Sequence, residues 1–82
     1  MEDKIRKIIG SHARLSTSAD KLAEDADLYA AGMSSHASVS IMVALEDEFG
    51  LEFPDRMLKR SVFQSIASIR AALREIQESA AV

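Results

Sequence analysis

The chain has 82 residues, a formal net charge of −3 and no cysteine, which excludes a disulfide framework and a thiolate metal site. Apolar residues make up 48% of it, enough for one small core, and no run approaches the ~20 apolar residues that span a bilayer. His12 and His36 are distant in sequence and make a poor zinc site, and the opening MEDKIRKIIG interleaves charges with isoleucines, unlike a secretory signal, so a cytoplasmic location is expected.

The first predicted element runs from Glu2 to about Arg14, where Ile5, Ile8, Ile9 and His12 share one helical stripe. Gly10 inside it marks either an early end or close packing. Residues 15–34 show no sustained period and read as a long first loop with a short turn, anchored by Leu15, Leu22 and Leu28. The second helix is expected over Ser35–Phe49, with Ile41, Leu45 and Glu48 on one stripe with Phe49, supported by Ala37, Ser38 and Met42, a wide apolar face with acids gathered at its far end. Ser34 suits its N-cap, because a hydroxyl there accepts a backbone N–H two or three residues on. Gly50 suits the residue just past its end. Residues 50–54 form a connector, and Pro54 with Asp55 opens a short helix that reaches Arg60 at most. The last helix carries the stripe Ile66, Ile69, Leu73 and Ile76. Ser61 with Gln64 fits a capping box, but the stripe favours Ser65 as the cap, leaving Phe63 as a loop residue pointing inward. No strand pattern appears. The fold expected is all-α: a small four-helix bundle of three main helices and one short one, in one domain over 1–82 with its core at about 4–77.

Charge is uneven along the chain. Residues 24–55 hold eight acids (Glu24, Asp25, Asp27, Glu46, Asp47, Glu48, Glu52 and Asp55) and no Lys or Arg, whereas Arg56, Lys59 and Arg60 follow at once. Such a field repels nucleic-acid phosphates and attracts basic protein surfaces. No glycine-rich phosphate loop and no placed carboxylate pair is visible. His36 directly after Ser35 on a helix points elsewhere, so no nucleophilic triad forms, and a self-contained enzyme or an RNA-binding bundle is disfavoured. What remains is a pair of serines at the start of the longest amphipathic helix. One can cap; the other is left exposed where a helix end favours an anion.

Several of these stretches together resemble the acyl carrier protein family: KIIG at 7–10, Gly32-Met33-Ser34-Ser35, VALEDEFG at 43–50, Phe53-Pro54-Asp55 and the helix start at Ser65-Ile66. The resemblance covers residues 4 to about 77. It implies that Ser35 is the attachment point of a 4′-phosphopantetheine arm, added from coenzyme A by a phosphopantetheinyl transferase. The carrier would then present acyl thioesters to loading and transfer enzymes of fatty-acid, lipid or polyketide-type biosynthesis, itself catalysing nothing. It also implies docking on basic patches of those enzymes through the acidic helix, with His36, Glu46, Asp47, Glu48 and Arg56 as docking candidates. Met42, Val43, Phe53, Leu58, Phe63 and Ile66 become candidate liners of an acyl pocket, or plain core. No metal, nucleic acid or membrane insertion is implied, and a monomer is expected.

The chain departs from the family pattern in places. Ser34 stands where an aspartate is usual, which keeps a cap but removes a charge, and His36 replaces an apolar residue that usually meets partners. Ala37 and Ser40 occupy positions commonly acidic, and Arg56, Lys59 and Arg60 make a usually acidic short helix basic. These departures point to a specialised carrier with dedicated enzymes. A stand-alone aminoacyl or peptidyl carrier and an unmodified helical adaptor docking through its acidic helix stay open as alternatives.

Overall fold

The computed structural model describes residues 1–80. Its order is helix α1 (Glu2–His12), a 3₁₀ turn (Ala19–Lys21), helix α2 (Ser35–Phe49), two further 3₁₀ turns (Asp55–Met57 and Arg60–Phe63) and helix α3 (Ile66–Ala80), with no strand among the described residues. The three helices meet along their apolar stripes. Ile5 and Ile9 of α1, Ile41 and Leu45 of α2, and Ile66, Ile69 and Leu73 of α3 are wholly buried, together with Leu28 from the first loop. Phe53 and Phe63 close the core beneath α2, their ring centres 5.3 Å apart and tilted by 55°, a favourable aromatic geometry.

Two expected boundaries shift. α1 stops at His12 because Ala13 turns extended and drives its methyl into the core, so His12 is exposed rather than on the buried stripe. The short helix expected at 56–60 takes the form of the two 3₁₀ turns, the first opening directly after Pro54. Gly10 lies in the last turn of α1, and a Cβ there would sit in ordinary contact with Ala19 at 3.7 Å. A methyl would therefore be accommodated at Gly10, which stands in the last turn of a helix that ends at His12. Ser65 does cap α3: its hydroxyl accepts the Ser68 N–H at 3.0 Å while the Ser68 hydroxyl accepts the Ser65 N–H at 3.0 Å, a reciprocal box built from two serines.

The long loop is tied at several points. Arg6 donates to the carbonyls of Ala19 and Leu22, each at 2.7 Å. The Leu28 N–H donates to the Gln64 carbonyl at 2.7 Å, and the Ala67 N–H to the Glu24 carbonyl at 2.8 Å. Arg70 of α3 reaches Glu2 of α1 at 2.6 Å and Glu24 of the loop at 2.8 Å. The hydrogen bond from Arg70, and then its charge, hold the Glu24 carboxyl below the ordinary carboxylate range.

Candidate functional site

The serine pair is presented by a turn that only certain residues allow. Gly32 has φ +119°, a region open to glycine, and a Cβ there would meet the Arg14 carbonyl oxygen at 3.1 Å. This turn is closed by the Ser16 N–H donating to the Ala31 carbonyl at 2.9 Å and the Met33 N–H to the Leu28 carbonyl at 3.0 Å. Met33 is buried and anchors the segment. Ser34 follows in extended conformation, and its hydroxyl accepts the Ala37 N–H at 3.0 Å. The two serines thus divide the work. Ser34 is held by the cap, whereas Ser35 is exposed and its hydroxyl makes no hydrogen bond among the described residues. No acid stands in the first turn of α2 to offset the positive helix end there.

Ser35 opens onto a groove of about 440 Å³ lined by Tyr29, Ser38, Val39, Met42, Leu58, Lys59, Arg60 and Phe63. Ser38, Val39 and Met42 lie three, four and seven residues after Ser35, so one face of α2 supplies one wall. The turn after Leu58 supplies the other. Met42, Leu58 and Phe63 of the six pocket candidates line this groove; Phe63 is otherwise buried and Leu58 is half-exposed. The other three do not join them. Phe53 and Ile66 belong to the packed core, and Val43 points the other way, because it is one residue past Met42 and about 100° further round the helix. Val43 instead lines a broader groove of about 830 Å³ between α1 and α2, with Ile8, His12, Val39 and Asp47 among its neighbours.

The docking candidates scatter. His36 is exposed beside Ser35. Glu46 is not a free surface charge: its carboxylate accepts the Phe53 N–H at 2.9 Å, and its backbone carbonyl accepts the N–H groups of Gly50 and Leu51. It fastens the end of α2 to the connector. Glu48 faces Lys4 of α1 at 3.6 Å, and Arg56 pairs with Glu75 of α3 at 3.1 Å. Asp47 stays exposed. The acidic end of α2 lies about 18 Å along the helix axis from Ser35, twelve residues at 1.5 Å each. Near Ser35 the surface is apolar instead, with Val39 56% exposed. Tyr29, and Arg60 whose guanidinium lies 3.9 Å from the centre of its ring, are neighbours of the site; the sequence marks Arg60 only as part of the basic cluster after the acidic run, and nothing in it marks Tyr29.

The arrangement offers one unengaged hydroxyl on a helix start above an open, mostly apolar trough, and the residues present fit a phosphodiester-linked arm. Residues 3–75 match the family model for the phosphopantetheine attachment site. The chain belongs to this family. It is a carrier protein that serves partner enzymes and is not itself catalytic, and its prosthetic group is phosphopantetheine. A carrier of Agrobacterium fabrum named "Aminoacyl carrier protein" is 45% identical over 76 residues, covering 93% of this chain and 92% of that one. A carrier protein from Agrobacterium tumefaciens, seen in a crystal with an engineered Bradyrhizobium japonicum glycine:[carrier protein] ligase and AMP, superposes with a TM-score of 0.87 at 44% identity, covering 90% of this chain and 99% of the other. A solution structure of an Agrobacterium tumefaciens protein superposes with a TM-score of 0.74, also at 44% identity, covering 95% and 94%. Among the described residues no helix is long and apolar enough to cross a membrane.

Proposed function

We infer that this carrier holds an amino acid as a thioester on a 4′-phosphopantetheine arm attached to Ser35, and that an ATP-dependent amino acid ligase loads it. The observation that carries this reading is the aminoacyl carrier relative, 45% identical across 93% of the chain. The ligase-bound Agrobacterium tumefaciens carrier, at 44% identity, supports the same class of partner. The aminoacyl alternative therefore takes precedence over fatty-acid, lipid or polyketide carriage and over an unmodified adaptor. The site supports it as well. Phe53 and Ile66 are packed away in the core, and the groove beside Ser35 is open and counts Lys59 and Arg60 among its liners. Entry of a long acyl chain into the core itself would displace these buried side chains, while a short cargo can stay on the arm outside it.

The arm, when attached, supplies the thiol that bears the cargo. The protein's part is to present it. Ser34 keeps α2 started while leaving Ser35 unengaged, and the exposed His36, Val39 and Val43 form the surface that an approaching enzyme meets first. A small apolar contact of this kind suits a partner that must leave after each transfer.

Intact mass after incubation with coenzyme A and a broad-specificity phosphopantetheinyl transferase tests the attachment. Wild type and Ser34→Ala should gain one arm and Ser35→Ala none, with circular dichroism unchanged in Ser35→Ala because the cap is elsewhere. Incubation of the loaded protein with ATP, an amino acid and the ligase should then add one aminoacyl group that hydroxylamine removes. An unchanged mass in the first step, or loading by fatty-acyl donors alone in the second, would overturn the reading.

A further inference from the structure

Three basic residues follow the acidic run, and the structure treats them differently. Arg56 turns away to Glu75. Lys59 and Arg60 pair with no carboxylate among the described residues, yet both line the groove that Ser35 opens onto. Arg60 is also held in place, its guanidinium 3.9 Å from the centre of the Tyr29 ring. A stacked guanidinium keeps its N–H edge free to donate, since the ring engages only its face.

The support under that stack is continuous. The Asp27 carboxylate accepts the N–H groups of Tyr29 at 2.9 Å and Ala30 at 3.2 Å, which sets the turn presenting the ring. The other oxygen of Asp27 accepts from the Gln64 amide at 3.3 Å, and the Leu28 N–H donates to the Gln64 carbonyl at 2.7 Å. The Tyr29 turn and the Arg60–Phe63 turn are therefore laced together, and Arg60 rests on a fixed wall facing Ser35. Tyr29 itself packs against the core.

We propose that Arg60, stacked on Tyr29 and seconded by Lys59, is the positioning residue that binds the phosphodiester joining the arm to Ser35. The phosphodiester carries one negative charge, and the start of α2 holds no acid to repel it. A charge-assisted contact from Arg60 on one side and the helix N–H groups on the other would hold the first link of the arm over the groove and leave its distal end free. The proposal rests on attachment at Ser35 and adds to it what restrains the arm.

The test is phosphorus-31 NMR of the full-length loaded protein, after intact mass has shown one arm on Ser35. In wild type the phosphodiester line should be broad, moving with the whole protein, and its shift should change as salt is added. Arg60→Ala and Tyr29→Leu should each narrow the line and abolish the salt response, Arg60→Lys should restore part of it, and Lys59→Ala should give a smaller change. Arg60 is exposed, so amide spectra of Arg60→Ala should match wild type away from the groove. A loaded Ser35 whose phosphorus line is the same in wild type and Arg60→Ala overturns this proposal alone. No arm on wild type overturns the attachment reading and this proposal with it.

Discussion

At Gly32 the backbone does what a side chain would forbid. With φ at +119° and the Arg14 carbonyl 3.1 Å from where a Cβ would stand, Gly32→Ala forces the turn to open or to carry strain, at a cost of about 1–3 kcal/mol. Urea denaturation should show that loss, and the phosphopantetheinyl transferase should modify the variant more slowly, because the same turn sets down Ser34 and Ser35. A midpoint equal to that of wild type would mean that the turn does not hold the serine pair. The capping role of Ser34 is legible in the sequence because capping is local: its hydroxyl reaches only to Ala37. The role of Glu46 is not. Its carboxylate accepts the Phe53 N–H seven residues on, across a glycine turn whose direction no periodicity encodes. The Tyr29–Arg60 stack is hidden for the same reason, since only the folded loop brings those residues together.

Among the elements, α2 carries both the proposed attachment point and the acidic cluster, but at opposite ends. Its inward face follows the expected stripe at Ala37, Ile41 and Leu45, which are buried, because helical spacing decides which side meets the core; Glu48, on the same stripe, is exposed and faces Lys4, since a charge is not taken into the core. Its start and stop are equally readable: Ser34 caps it, and Gly50 at φ +62° ends it in the left-handed conformation. The short helix was less readable, since a five-residue stretch without a stripe has no period to show and resolves into two 3₁₀ turns. The separation of the ends bears on docking. Reversing Glu46 would break the Phe53 contact and reversing Glu48 the pairing with Lys4, either of which confuses folding with recognition, so the clean variant is Asp47→Lys. Surface plasmon resonance against the loading ligase should show slower association at low salt and little change at high salt, because rim charges act on encounter more than on the bound state. Val39→Asp, nearer Ser35 and 56% exposed, should instead weaken binding at every salt concentration. If Val39→Asp left affinity unchanged while the acid reversal abolished it, recognition would belong to the far end of α2.

Across the whole molecule, one residue adds a polar tie between parts that the core also joins. Arg70 on α3 binds Glu2 on α1 and Glu24 in the long loop, so the loop that leads to the serine pair is tied to both terminal helices. The pH dependence of that tie has a definite sign. Arg70 lowers the Glu24 carboxyl in the folded chain, while in the unfolded chain it returns to the ordinary value of about 4.3. Between the two values the unfolded chain binds more protons, so the stabilisation is full above about pH 4.3 and is lost as pH falls through the folded value. Both side chains are partly exposed, so salt weakens the contribution. Urea unfolding of wild type and Glu24→Gln, followed from pH 7 to pH 3 at low salt, isolates it. Wild type should be the more stable at pH 7, and the gap should close below about pH 4.3 as Glu24 takes up its proton. The Ala67 N–H bond to the Glu24 carbonyl survives in both proteins, so it cancels in the comparison. A gap of constant size from pH 7 to pH 3 would show that the carboxylate charge does not tie the loop, leaving that task to the backbone bonds at Glu24 and Leu28.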